Sequence, residues 1–82
     1  MNRQEQKDRL SKAVDEFASV MKARLYEKVD VDFTGWDNPA EISDAVLREA
    51  ISNDIKLPSH MNKEADIANR AMMLWWRKWL EL

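Results

Sequence analysis

The chain has 82 residues, of which 45% are hydrophobic and 34% are charged, and its formal net charge at pH 7 is −2. This composition is typical of a folded domain rather than a disordered segment, and the acidic balance gives no electrostatic basis for binding nucleic acid. The absence of cysteine excludes disulfides, thiol nucleophiles and thiolate metal sites.

The residues that break regular structure are scarce. The sequence contains one glycine and two prolines, which favours long helices. No apolar run approaches the roughly 20 residues that span a bilayer, and the first residues lack the pattern of a signal peptide. We therefore expect a single all-α domain over residues 1–82, cytoplasmic, with neither a membrane nor a nucleic acid as partner.

The first predicted helix covers about residues 2–27. Apolar side chains recur there at spacings of three and four residues, which places them on one stripe of a helix. The stripe consists of Leu10, Val14, Phe17, Met21 and Leu25. The charged side chains fall mostly on other faces, and we expect them to be solvated.

The second predicted helix covers about residues 39–56 and follows a connector that begins near Val29. Either Asp37 or Asn38 can cap its start, since both side chains accept hydrogen bonds from free backbone N–H groups. Pro39 then suits the first helical position, and Glu41 stands where a capping-box acid belongs.

The connector also raises a calcium hypothesis. Asp30–Glu41 has the spacing of a calcium-binding loop, with oxygen-bearing side chains at positions one, three, five, nine and twelve and Gly35 at position six. Against calcium, Asp37 occupies a position that is usually aliphatic, and no second loop is present. In the alternative interpretation, Phe33 and Trp36 pack the connector down and no ion binds. A terbium titration distinguishes the two, because Trp36 would sensitise the emission of a bound ion.

The third predicted helix covers about residues 62–80, after a break at residues 57–60, and is expected to be long. Its carboxyl-terminal half is apolar over a wider arc than a small three-helix unit normally buries. The large side chains there are Met72, Met73, Trp75, Trp76 and Trp79. Because each Trp ring buries on the order of 150–250 Å², exposure of these rings would create a large apolar surface patch that is prone to association.

These five residues are therefore predicted to form an interface. The arrangement that buries them most simply is a two-fold homodimer that completes a helical bundle. Two alternatives stay open: the tryptophans fill the core of a monomer, or the same patch binds another protein, since Trp and Met are favoured at interfaces.

Three separated segments carry a family resemblance. They are residues 17–25, the pair Gly35 and Trp36, and residues 63–74, which read KEADIANRAMML. In this order they resemble the small MazG-like proteins common in bacteriophages, part of the all-α nucleoside-triphosphate pyrophosphohydrolase superfamily. The resemblance covers roughly residues 14–76. It implies an oligomeric helical protein that hydrolyses nucleoside triphosphates to the monophosphate and pyrophosphate. Magnesium would be held by a Glu-x-x-Glu pair on one helix and a Glu-x-x-Asp pair on a later one.

The chemistry of that motif is physically clear, but the third helix departs from it. Carboxylates three residues apart share a helix face, and magnesium prefers such hard oxygen ligands. Asp66 matches the family's aspartate, whereas Lys63 stands where the family has glutamate. An ammonium group there is expected to compete with a metal for the Asp66 carboxylate.

The second helix departs from the motif as well. When its leucine is aligned with that of the family, Ala50 and Asn53 take the places of the two glutamates. Glu49 and Asp54 can replace them only if the register slips. At most one expected carboxylate is retained, which favours a non-catalytic relative.

Two functions are consistent with the sequence. The first is a phage or prophage accessory protein with no catalytic residues, no cofactor and no metal, which acts by binding a host or phage protein. The second is a magnesium-dependent nucleoside-triphosphate pyrophosphohydrolase, or a nucleotide-binding protein. The residues that would form its metal or nucleotide site are Trp36, Glu49, Asp54, Asp66 and Asn69.

Overall fold

Three α-helices build the part of the chain that the structure describes, and the all-α prediction is confirmed. A computed structural model describes residues 2–32, 34–56 and 63–79. Helix α1 spans Arg3–Asp30, α2 spans Asp44–Lys56 and α3 spans Lys63–Arg77. No helix in the described part of the chain is long and apolar enough to cross a membrane.

Helix α1 is the long element, which corrects the expectation of a long third helix. It contains 28 residues, whereas α3 contains 15. Asn2 caps its start, because the Asn2 side chain accepts a hydrogen bond of 2.8 Å from the backbone N–H of Glu5. The helix runs three residues beyond the predicted end, and the chain turns at Asp32, whose φ is +65°.

The start of α2 was predicted five residues too early. Asn38 does bind free backbone groups, but in a turn: its side chain accepts a hydrogen bond of 3.0 Å from the N–H of Ala40. The carbonyl of Asn38 accepts further bonds of 3.0 Å from Glu41 and Ile42. The helix begins after Ser43, whose hydroxyl oxygen accepts from the N–H of Val46 at 3.2 Å. An Asn side chain caps a turn as readily as a helix, which is why the prediction failed.

Helix α3 lies at the centre and packs against both α1 and α2. It ends at Arg77, and Trp79 belongs to a closing turn rather than to the helix. The predicted break at 57–60 and the predicted helix limits at 62 and 80 lie outside the described residues. The buried apolar side chains of the described part are Leu47, Ala65 and Met73.

A buried arginine fastens the connector to α3. The side chain of Arg77 is 4% exposed and donates a hydrogen bond of 2.8 Å to the carboxylate of Asp44. Its Nε and Nη2 atoms both donate to the backbone carbonyl of Trp36, at 3.0 and 2.8 Å. This one guanidinium therefore joins the connector, the start of α2 and the end of α3.

The glycine of the connector gives the first testable prediction. Gly35 has a φ of +83°, and a Cβ atom placed there would meet the side chain of Glu41. We expect Gly35→Ala to lower the free energy of unfolding by about 1–2 kcal/mol, measured by urea denaturation. The double variant Gly35→Ala/Glu41→Ala should recover only the steric part. An unchanged stability would show that the connector does not adopt this conformation.

Candidate functional site

The aspartate of the family motif is held by two cations from α1. Asp66 on α3 accepts hydrogen bonds from Arg24 at 3.1 Å (Nε) and 3.0 Å (Nη2), one on each carboxylate oxygen. The ammonium of Lys28 lies 3.8 Å from the same carboxylate, whose side chain is 13% exposed. Both oxygens of Asp66 are therefore occupied by groups of this chain.

A second carboxylate, on α2, is held in the same way by cations from α3. Asp54 accepts a hydrogen bond of 3.3 Å from Lys63 and another from Arg70, and its side chain is 15% exposed. The charge of Arg70 acts on Asp66 as well. We call these six residues the charge cluster: Arg24, Lys28, Asp54, Lys63, Asp66 and Arg70.

The electrostatics of the charge cluster favour ionised carboxylates. Partial burial of Asp66 acts to raise its pKa, but the hydrogen bonds from Arg24 and the charge of Lys28 outweigh burial, so the pKa lies below its usual value. The pKa of Asp54 is lowered in the same way, by Lys63 and Arg70 against the effect of desolvation. At neutral pH each carboxylate is thus a charged partner in a network of ion pairs.

This arrangement gives a prediction about pH. Because the folded-state pKa values of Asp54 and Asp66 lie below those of the unfolded chain, near 4, both carboxylates stabilise the fold above about pH 4. That contribution is lost as the pH falls through the lower folded-state values. We expect the free energy of unfolding to decline as the pH falls below about 4, and Asp66→Asn to make the decline shallower. An equal pH dependence in wild type and variant would contradict the assigned pairing.

The charge cluster does not fit a magnesium site. Magnesium requires carboxylate oxygens that are free to coordinate it, and here those oxygens bind guanidinium and ammonium groups. Among the residues that the structure describes, no three His, Cys, Asp or Glu side chains are grouped so that they could hold a metal ion. In the proposed calcium loop, Asn38 forms a turn and Glu41 packs beside Gly35. The structure thus gives no support to either metal hypothesis.

The predicted site residues are only partly brought together. Lys63 was expected to compete for Asp66, but it pairs with Asp54 instead. Glu49, the other substitute ligand on α2, is exposed to solvent. Trp36 lies elsewhere. It lines a cavity of about 180 Å³ together with Leu25, Tyr26, Val29 and Met72, and Asn69 is not among the residues that line this cavity.

Asn69 occupies the most enclosed polar position of the site. It is 1% exposed, and its Nδ2 atom donates to the backbone carbonyl of Met21 at 3.1 Å. Its Oδ1 atom is buried without a hydrogen-bond partner. Asn69 lines a cavity of about 230 Å³ together with Lys28, Ile42, Val46, Leu47, Ala50, Arg70 and Met73. The cavity is therefore apolar, with two cationic side chains among its walls.

The predicted interface divides into a buried and an exposed part. Met73 is 2% exposed, which assigns it to the core of a single chain and corrects its place in the interface. Met72 is half-buried and faces the cavity that Trp36 lines. The remaining three, which we call the tryptophan cluster, are exposed: Trp75, Trp76 and Trp79. The ring of Trp75 lies 6.3 Å from that of Trp76 and 5.9 Å from that of Trp79.

Arg24, Lys28 and Arg70 were missed by the sequence reasoning. Arg24 carried a signal, because it follows Met21 by three residues and so interrupts the apolar stripe of the first helix. A cation on a packed stripe requires an acidic partner on the neighbouring helix. Lys28 carried the same signal, because it follows Leu25 of the stripe by three residues.

Comparison with known proteins identifies no relative that shares this site. No protein-family model, no curated protein and no solved structure matches the chain. The resemblance to MazG-like proteins therefore rests on the sequence segments that carry it.

Proposed function

We propose that this protein is a non-catalytic relative of the MazG-like nucleotide pyrophosphohydrolases. In this proposal it is a phage or prophage accessory protein of the cytoplasm, forms a homodimer and acts by binding a host or phage protein. The observation that carries the proposal is the pairing of both carboxylates, Asp54 and Asp66, with two cations each.

The physical argument concerns what a metal would have to displace. Binding magnesium at Asp66 requires breaking two hydrogen bonds from Arg24 and moving the charge of Lys28 away. Separating a partly buried ion pair is costly, and the displaced cations would then repel the metal. The cations thus perform the charge neutralisation that a catalytic ion provides in an active relative, but they cannot activate water.

The proposed mode of action is supported by the tryptophan cluster. Trp75, Trp76 and Trp79 are exposed at the end of α3 and in the turn that follows it, although large aromatic side chains are normally buried. Trp is among the residue types enriched at the few positions that dominate binding energy in protein interfaces. A protein partner is the ligand that such a surface fits.

The proposal is tested by an assay for pyrophosphate release. The purified protein is incubated with each canonical nucleoside triphosphate in magnesium or manganese, with an active pyrophosphohydrolase as the positive control. We expect no release above the rate without protein. Turnover that Asp66→Ala abolishes would overturn the non-catalytic assignment, because that variant removes the one carboxylate that the motif retains.

A second candidate is nucleotide binding without turnover, and Asn69 favours it. Its buried, unpartnered Oδ1 atom could accept a hydrogen bond from a base, and Lys28 and Arg70 of the same cavity could attract phosphates. Calorimetric titration with nucleotides, in EDTA and in magnesium, tests it. Binding that is independent of metal and lost in Asn69→Ala supports this function, and no heat with any nucleotide contradicts it.

A further inference from the structure

A groove between α2 and α3 lies apart from the charge cluster. It has a volume of about 370 Å³, and neither a residue of α1 nor a member of the charge cluster is among the described residues that line it. Its lining consists of three apolar side chains, two cations and one hydroxyl group. We call it the α2–α3 groove, and its lining residues are Arg48, Ile51, Ser52, Ile55, Lys56 and Leu74.

The α2–α3 groove follows two helices that run side by side in opposite directions. Asp44, at the start of α2, pairs with Arg77 at the end of α3, and Asp54, near the end of α2, pairs with Lys63 at the start of α3. The two helices are therefore antiparallel over most of their length. The channel between two such helices is where a further helix packs its side chains in a helical bundle.

The apolar part of the α2–α3 groove is only partly covered by the chain. Ile51 and Leu74 are half-buried, whereas Ile55 is 67% exposed. A surface this shallow does not enclose a small molecule, because pockets for such ligands bury most of the ligand surface. It presents apolar side chains along a line between two helices, which suits an amphipathic helix of another protein.

The charged side chains that line the α2–α3 groove are both positive. Arg48 and Lys56 are exposed, and among the residues that the structure describes neither has an ion-pair partner. Two acids of α2, Asp44 and Asp54, are bound by cations of α3, and the third, Glu49, does not line the groove. The groove is thus locally cationic on a chain whose net charge is −2, and it is complementary to an acidic partner.

The α2–α3 groove adjoins the tryptophan cluster. Around the surface of α3, the exposed side chain of Ala71 lies between those of Leu74 and Trp75, about 60° from the first and about 40° from the second. The Trp75 ring is itself 54% exposed. The groove is therefore continuous with the surface that the proposed function assigns to a protein partner.

We infer that the α2–α3 groove binds an acidic amphipathic helix of the protein partner. The inference rests on the protein partner of the proposed function and states the chemistry of that partner. Apolar side chains three or four residues apart on the bound helix contact Ile51, Ile55 and Leu74. Arg48 and Lys56 are separated by about 12 Å along α2, at 1.5 Å per residue, so they pair with carboxylates about two turns apart on the bound helix.

The charge of the partner is tested with a displayed library of short helical peptides that have randomised side chains. The library is selected separately against wild type, against the groove variant Arg48→Glu/Lys56→Glu and against the control Lys7→Glu/Lys22→Glu. Both double variants make the same charge change at exposed positions, and circular dichroism checks that each is folded. We expect wild type and control to select Asp and Glu beside helically spaced apolar residues, and the groove variant to select Lys and Arg instead.

The apolar contact is tested with the peptides that wild type selects. Their affinity for the purified protein is measured by fluorescence anisotropy. We expect Ile55→Ser to weaken binding about tenfold, because the bound peptide would bury the isoleucine side chain. The matched control is Trp76→Ala, which removes another exposed apolar side chain about 160° around α3 from Leu74 and should keep the affinity of wild type.

The contradicting outcomes separate this inference from the proposed function. The inference fails if no peptide is enriched, or if wild type and the groove variant select the same charges. It also fails if binding survives Ile55→Ser and is lost in Trp76→Ala, because the peptide then lies on the tryptophan cluster and the proposed mode of action stands.

A second copy of the chain is the other occupant to be tested. Sedimentation equilibrium compares wild type with Arg48→Glu/Lys56→Glu, and we expect the two to have the same mass. A wild-type dimer that this variant dissociates would show that a second copy fills the α2–α3 groove, which overturns the inference. The non-catalytic assignment is unaffected by these results, because it depends on the charge cluster.

Discussion

Replacing Asp66 by alanine is expected to lower the free energy of unfolding by about 2–4 kcal/mol. The variant removes the carboxylate with which both Arg24 and Lys28 form ion pairs. The two cationic side chains then remain partly buried without this partner. Chemical denaturation followed by tryptophan fluorescence measures the loss. Glu49→Ala is the matched control, since it removes the same charge from an exposed position, and its effect should stay within about 0.5 kcal/mol.

The sign of this effect distinguishes an ion-pair network from a metal site. The carboxylates of an empty metal site repel each other, so removing one of them stabilises the metal-free protein. Carboxylates that are held by cations have the opposite behaviour. A stabilised Asp66→Ala variant in EDTA would therefore contradict the role assigned to the charge cluster.

A double-mutant cycle assigns the energy to its pair. Arg24→Ala and Asp66→Ala should be strongly non-additive, with a coupling of about 1–3 kcal/mol. Arg24→Ala combined with Glu49→Ala should be additive, because no contact joins these two side chains. Additivity in both cycles would mean that the bond between α1 and α3 does not exist in solution.

Replacing Arg77 by alanine is expected to have a still larger effect, about 3–5 kcal/mol. Its guanidinium is almost fully buried and binds the Trp36 carbonyl twice and Asp44 once. The loss removes these bonds and leaves the half-buried Trp36 without the two donors that its carbonyl accepts from. Lys78→Ala, on the exposed neighbouring residue, is the control and should be close to neutral.

Arg77→Lys separates charge from geometry. Lysine keeps the positive charge but cannot donate in a planar fork to Trp36 and Asp44 together, so only part of the stability should return. Hydrogen exchange at the amides of Asn38, Glu41 and Ile42 should accelerate in both Arg77 variants as the connector loosens. Unaltered exchange at these amides would show that Arg77 does not hold the connector.

Helix content was predictable from the sequence because it depends on local spacing. The stripe of α1, from Leu10 to Leu25, has helical periodicity, and a helix is found there. The start of α2 was not predictable, because the side chain of Asn38 caps a turn with the same kind of hydrogen bond that begins a helix. Ser43 is the residue that caps α2, because its hydroxyl oxygen accepts a hydrogen bond from the N–H of Val46.

The wide apolar arc of α3 includes side chains that pack within the chain and side chains that are exposed, whereas the sequence analysis assigned them all to one interface. Met73 faces the cavity beside α2, and Met72 faces α1 and the connector. The helix is thus covered on two sides within a single chain, because it lies between two others. Of the large apolar side chains that the structure describes on this arc, those of the tryptophan cluster remain exposed. Periodicity gives the width of an arc, but it does not say how many neighbours cover it.

Of the residues in the charge cluster, the two aspartates were identified from the sequence as candidate site residues. Asp66 was identified through the family motif, and Asp54 entered as a substitute ligand. Their partners were not identified, since Arg24 is 42 residues from Asp66 and the pairing depends on how α1 crosses α3. Contacts of that kind are determined by the tertiary arrangement, not by spacing along the chain.

The most direct test of the account is a manganese titration followed by electron paramagnetic resonance. Free Mn²⁺ gives a strong signal that is lost on binding, and Mn²⁺ occupies the oxygen sites that Mg²⁺ uses. At about 100 µM protein we expect wild type and Asp66→Asn to leave the signal equally intact, because their carboxylates are paired with cations or absent. Stoichiometric loss of the signal in wild type that Asp66→Asn prevents would contradict the central claim.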